Sequence, residues 1–281
     1  MPMSQRSFVE LSRTDTDTPL RMAIYDRPGR GVPILCLPGL TRNHRDFDGI
    51  LALFPSRPVI RVDLCGRGDS DWDPDPSRYT PQTYLADLIR WLESRPEPRF
   101  DVIGTSLGGI LAMGLAAAVP ARLRRLVIND IGPVIEPAGM DAIRSRVGMG
   151  GPFTDWNDAC AAVRAGKLAD HPREDDWMRF TRAVCTERAG QVVFDYDPAI
   201  GQQAKGADVP PFWEAWEPTF AFPVLVLRGA CSDLFSQATC DRMCTLHPNA
   251  EAVLVPDTGH APTLYEPECQ SALTEFLGAS R

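Results

Sequence analysis

The sequence predicts an α/β protein: a mostly parallel, eight-stranded sheet with helices packed on both faces. Three observations predict it. Short apolar runs rich in β-branched residues recur along the chain, each bounded by Gly, Pro, Asn or Asp. Helical patterns alternate with these runs at residues 81–94, 110–118, 236–246 and 267–277. The alternation breaks only between residues 132 and 219, where the chain turns helical and loop-like before the rhythm resumes.

Taken in order, residues 7–11 and 20–25 alternate weakly around a Thr/Asp-rich turn and read as an edge hairpin. Residues 32–37 form a buried strand that exits through Pro38-Gly39-Leu40, where backbone N–H groups can face a neighbouring site. The strand at 58–62 runs into Asp63-Leu64-Cys65-Gly66-Arg67-Gly68-Asp69-Ser70, too glycine-rich for a helix. That loop is not a phosphate cradle, because no Gly-Lys-Ser/Thr ending and no immediate helix follow it; Asp63 is assigned to fixing the loop. The helix at 81–94 carries Tyr84, Leu88, Trp91 and Leu92 on one face.

Residues 100–105 then form a strand that ends in Gly104-Thr105-Ser106-Leu107-Gly108 and continues as an alanine-rich helix. Small residues on either side of Ser106 let strand and helix approach closely, which holds the serine in a tight turn with its hydroxyl exposed. A serine hydroxyl is a weak nucleophile and needs a histidine base, itself oriented by an acid. Of the four histidines, His44, His171 and His247 sit in polar or Pro-flanked loops. His260 follows the buried strand at 252–255 in a Gly-His turn and is the candidate base. Two acids compete. Asp233 follows the strand at 222–229 and is preferred; Asp130 ends the strand at 123–130 and is the alternative, with loop capping as its other role.

Composition narrows the function classes. The chain has 281 residues, 44% of them hydrophobic and 23% charged, as in soluble globular proteins. Its net charge of -8 has no compensating Lys/Arg cluster, which argues against a nucleic-acid surface. The start of the chain has no apolar leader pattern, and the apolar stretch at 107–119 is too short and glycine-interrupted to span a bilayer. A cytoplasmic protein without a membrane partner is expected, as a monomer or homodimer. The eight cysteines are scattered, mostly in apolar segments, and read as buried free thiols. Cys240 and Cys244 lie one helical turn apart without a Cys-x-x-Cys or His pair, so no metal is expected.

Ser106 at an elbow, Asp233 after one late strand and His260 after the next resemble the Ser…Asp…His order of the α/β-hydrolases. The Pro38-Gly39-Leu40 loop, the Asp63-x-x-Gly66-x-Gly68-x-Ser70 segment and the closing Gly259-His260 extend the resemblance along the chain. It implies a core of residues 1–131 and 220–281 with residues 132–219 inserted as a helical cap. Four of the six tryptophans, Trp156, Trp177, Trp213 and Trp216, fall in that insertion, and two or three are expected to line a pocket. The implied activity is a serine hydrolase cleaving an ester or related acyl bond of a small to medium, partly aromatic substrate, through an acyl-enzyme and without a cofactor. The N–H groups of Leu40 and Leu107 would form the oxyanion hole. Pro38 stands where many members carry His, which alters support around the hole and leaves its backbone donors. An enol-lactonase, a carbon–carbon hydrolase of ring-cleavage products, and a ligand-binding pseudo-hydrolase are the alternatives. Ala261-Pro262 after the histidine departs from the aromatic of the carbon–carbon hydrolases, and Ser106 excludes the carboxylate-nucleophile epoxide hydrolases and haloalkane dehalogenases.

Overall fold

The computed structural model describes residues 4–11, 19–165, 176–204 and 209–278. Eight strands form one sheet in the order β1-β2-β4-β3-β5-β6-β9-β10. They are β1 (Gln5–Leu11), β2 (Leu20–Arg27), β3 (Ile34–Leu37), β4 (Val59–Asp63), β5 (Phe100–Thr105), β6 (Leu123–Asn129), β9 (Val224–Gly229) and β10 (Ala250–Val255). The β1–β2 and β2–β4 pairs are antiparallel and every other neighbouring pair is parallel. The edge hairpin and the parallel body are therefore as the sequence predicts.

The central strands are mostly apolar and almost wholly buried because both of their faces are covered. In β3, Leu35 and Leu37 join one core cluster while Ile34 and Cys36 join a second on the opposite face. In β9 the same alternation sends Val224 and Val226 one way and Leu225 and Leu227 the other. The first face packs against α2 (Pro81–Glu93), α3 (Leu107–Ala118) and α8 (Gln237–Leu246), and the second against α1 (Asp48–Leu53) and α9 (Pro267–Gly278). Thr80 caps α2 by accepting from Thr83 N at 3.2 Å, with Pro81 in the first turn. The short α1 has no counterpart in the sequence reading.

Between β6 and β9 lie α4 (Pro137–Arg146), α5 (Trp156–Ala165), α6 (Trp177–Val184) and α7 (Ile200–Ala204). An antiparallel hairpin of β7 (Cys185–Arg188) and β8 (Gln191–Phe194) also occurs here, so this stretch is not purely helical. Phe153, Ala159, Val163, Phe180, Val184, Cys185 and Val192 give it a core of its own. Its last part rejoins the main body: Trp216 is fully buried and donates its Nε1–H to Met243 O at 3.2 Å.

The eight cysteines are free, five of them buried and Cys231 exposed. Burial pushes the Cys36 and Cys65 thiols up to about 12. Among the described residues no helix is long and apolar enough to cross a membrane.

Asp87 on α2 is buried, and desolvation, opposed by Arg90 and Arg78, raises its pKa to about 6. Its folded pKa lies above the unfolded value, so the folded state binds the proton more tightly. Stability from this group is full at low pH and is lost as pH rises from about 4 through about 6. Asp87→Asn is therefore expected to raise unfolding free energy at pH 8 by about 1–2 kcal/mol, after allowance for partial screening. Urea midpoints for both proteins at pH 8 and pH 4.5 check this, with the difference largely gone at the lower pH.

Candidate active site

The β5–α3 junction is strained in the way its glycines foreshadow. Ser106 has φ 51° and ψ -115°, a left-handed conformation that positions its side chain at the start of α3. A Cβ at Gly104 would collide with the Gly108 carbonyl, and one at Gly108 with the Leu37 carbonyl. Leu107 is the first helical residue, so its N–H has no partner within the helix.

The loop after β10 carries His260 to this junction, and His260 Nε2 lies 2.9 Å from Ser106 Oγ. On the other side of the ring, Nδ1 lies 2.8 Å from Asp130 Oδ2. Asp130, not Asp233, thus occupies the place of the acid. It leaves the end of β6 with φ 56°, a conformation that Asp tolerates, and its side chain is fully buried. Gly229 N donates to Asp130 Oδ1 at 2.8 Å and Ser232 Oγ donates to Oδ2 at 2.7 Å.

The physical reason for the correction lies in the turn after β9. Ser232 N bonds back to Gly229 O at 3.0 Å, which aims the Ser232 hydroxyl at Asp130 and leaves the next residue, Asp233, exposed on the pocket wall. Asn129 contributes as well: its Nδ2 donates to Thr105 Oγ1 at 3.1 Å and to Pro262 O at 2.9 Å, tying β6 to the loop that holds His260. Ser232 and Asn129 both went unassigned in the sequence. Asn129 was visible only as half of the polar pair, with Asp130, that closes an apolar strand.

Gly39 brings the loop after β3 against the nucleophile, since a Cβ there would sit 3.7 Å from Ser106 Cβ. The N–H groups of Leu40 and Leu107 have no acceptor among the described residues. Leu40 is held from behind by Arg67, a fully buried residue whose Nε donates to Leu40 O at 2.6 Å. Asp63 accepts from Asp69 N at 3.0 Å and from His44 N at 2.7 Å, and so fixes its loop as expected.

The other histidines are placed apart from the site. His44 is a buried residue against Asp63, stacked on Tyr25, and His247 lies against Thr219 O with its pKa lowered by burial. His171 lies outside the described residues.

Ser106 and His260 open onto a cavity of about 860 Å³. None of the four tryptophans lines it; Phe180 and Tyr265 are its aromatic walls. Trp156 and Trp177 pack on the core of the inserted segment, where Trp156 Nε1 donates to Glu187 at 2.6 Å. Trp213 and Trp216 pack toward the main core. Bulk and burial, not the cavity, claim these side chains.

A buried carboxylate, an imidazole and a half-buried hydroxyl thus stand in series, beside two N–H groups that have no acceptor among the described residues. The chain belongs to the alpha/beta hydrolase family, whose model matches residues 34–269. It is 31% identical to the 3-hydroxybutyrate-oligomer hydrolase of Cupriavidus necator over 92% of both chains. It is 28% identical to the 2-(acetamidomethylene)succinate hydrolase of Mesorhizobium japonicum, covering 89% of this chain and 90% of that one. Among solved structures, an alpha/beta hydrolase from Novosphingobium aromaticivorans superposes with a TM-score of 0.89 at 36% identity, over 99% of each chain.

Proposed function

We propose that the protein hydrolyses carboxylic esters, with Ser106 as nucleophile, His260 as general base and Asp130 as the acid that orients it. The observation that carries this reading is the relay itself, 2.9 Å from hydroxyl to imidazole and 2.8 Å from imidazole to carboxylate. His260 takes the Ser106 proton as the oxygen attacks the acyl carbonyl, and the resulting imidazolium is stabilised by the buried Asp130 carboxylate. The N–H groups of Leu40 and Leu107 bind the oxyanion. His260 then protonates the departing alcohol, and water releases the acid by the same steps in reverse. The segment between β6 and β9 serves as the cap over the cavity. Similarity to a hydrolase of hydroxybutyrate oligomers supports an ester as the bond cut.

A second reading, cleavage of a non-ester acyl bond, is favoured by the similarity to a 2-(acetamidomethylene)succinate hydrolase. The test is covalent. Phenylmethanesulfonyl fluoride is expected to abolish p-nitrophenyl butyrate turnover and add one sulfonyl group to the peptide containing Ser106; labelling elsewhere, or full activity in the labelled protein, overturns the assignment. Labelling of Ser106 without any ester turnover points to the second reading.

Ser232 contributes through Asp130. Loss of a hydrogen bond to a charged group costs about 1.5–3 kcal/mol, so Ser232→Ala is expected to lower kcat/KM by roughly tenfold or more. Threonine at 232 keeps the hydroxyl and should restore most of the loss, which steady-state kinetics on one ester will read.

A further inference from the structure

Arg42 ends the loop that brings Gly39 and Leu40 to the nucleophile. A Cβ at Gly39 would lie 3.2 Å from Arg42 Cγ and 3.7 Å from Ser106 Cβ, so the stem of Arg42 and the serine both border Gly39. Its guanidinium is held on one edge only. Nε donates to Asp46 Oδ2 at 2.7 Å and Nη2 to Asp46 Oδ1 at 2.6 Å, while the ring of Phe180 covers one face at 4.3 Å. A guanidinium has five N–H donors, and a bidentate pair on the Nε edge leaves the fork of Nη1 and the second Nη2–H available. Among the described residues no side chain or carbonyl fills that fork. Arg42 borders both the main cavity and an adjoining one of about 260 Å³ whose walls include Phe153, Val184 and Phe194.

Four other arginines line the cavity. Arg146 Nε donates to Ala142 O at 2.8 Å, and Arg182 lies over the Trp156 ring at 4.4 Å, turned to the core of the inserted segment. Arg45 is committed to Asp195 at 2.6 Å and to the Ala183 carbonyl, and Arg179 to Asp176 and the Tyr265 ring. Acids of the lining near Arg42 are likewise engaged, Asp46 with Arg42 itself and Asp48 with Arg61.

We propose that Arg42 is a specificity-determining residue that receives a carboxylate of the substrate on its open edge, so that the enzyme selects esters carrying a free carboxylate close to the scissile bond. This rests on the ester-hydrolase reading and adds the substrate class. Arg42 is suited to the task because Asp46 and Phe180 fix its plane before substrate arrives, which removes the ordering cost that a free side chain carries. The carboxylate can belong to the acid or to the alcohol half of the ester; the chemistry at Arg42 is the same.

The test measures kcat/KM in pH-stat on two matched pairs. Monoethyl succinate against ethyl succinamate places the charge on the acyl side, and 3-acetoxybutyrate against 3-acetoxybutyramide places it on the alcohol side. Each amide has nearly the shape of its carboxylate and no charge. The wild type is expected to prefer the carboxylate of at least one pair by tenfold or more, as for a charge-assisted bidentate pair. Arg42→Gln is expected to bring that ratio below about threefold, Arg42→Lys to leave it intermediate, and Asp46→Asn, which uncovers the Arg42 charge, to raise it. A wild-type ratio near one in both pairs, or an unchanged ratio in Arg42→Gln, overturns the proposal. Calorimetric titration of Ser106→Ala with 3-acetoxybutyrate and monoethyl succinate reads the same site without turnover. Affinity for at least one is expected to fall tenfold on adding Arg42→Gln, while equal or absent binding of both overturns the anion site. Failure of all four compounds to turn over, with that binding difference intact, overturns only the ester reading.

Discussion

Asp130→Asn is expected to lower kcat on an ester by roughly 10³–10⁴-fold, and Asp233→Asn to change it by less than about threefold. The contrast follows from what surrounds each group. The Asp130 carboxylate faces three donors: the His260 Nδ1–H, the Ser232 hydroxyl and the Gly229 N–H. An amide has one acceptor oxygen and turns an NH₂ toward one of these donors. If it faces His260, the imidazole must place its proton on Nε2, where it can no longer accept the Ser106 proton. If it instead takes the place of Oδ1, it faces Gly229 and leaves that buried N–H unpaired, since His260 and Ser232 share Oδ2. Asp233 is exposed, and among the described residues only its carbonyl is bound, to Gly139 N at 3.1 Å. Steady-state kinetics of the two variants, with thermal unfolding run alongside, decide it: a larger loss at Asp233 would restore the acid favoured by the sequence order.

That reversal shows where sequence reading reaches its limit. The strand–elbow–helix unit was legible because its geometry is enforced locally, by glycines at 104 and 108 whose replacement would drive a Cβ into neighbouring carbonyls. His260 was legible because one strand and one turn deliver it, although that strand, β10, is an edge strand with Val255 its one buried residue and not the buried strand the sequence suggests. The acid was not, because β6 and β9 are neighbours in the sheet and both end at the same rim. The choice between their terminal carboxylates depends on a four-residue turn, and Ser232 settles it by pointing its hydroxyl at Asp130. The tryptophans misled for a related reason: composition places them in the inserted segment, but only packing says which face they present. The β7–β8 hairpin escaped because its strands are four residues each and its turn is Ala189-Gly190, both at positive φ, a signal weaker than Asn-Gly.

Arg67→Met is expected to separate stability from chemistry at the oxyanion loop. Arg67 is fully buried, and its guanidinium donates to Leu40 O at 2.6 Å, to Cys65 O at 2.5 Å and to Tyr84 Oη at 2.5 Å. Methionine fills a similar volume but leaves those acceptors dry, at about 1–3 kcal/mol each, offset in part because a buried charge is removed as well. The net loss in unfolding free energy is about 2–4 kcal/mol, which urea titration will read. Leu40 then loses the anchor that fixes its peptide plane. Since an oxyanion donor works only if aimed before the reaction, kcat should fall by roughly 10–100-fold with little change in KM. Arg67→Lys keeps the charge but replaces a planar fork with a single ammonium, so it should recover stability more fully than kcat. A variant that loses stability with kcat unchanged at a temperature where it is fully folded would show that the loop holds its aim without Arg67.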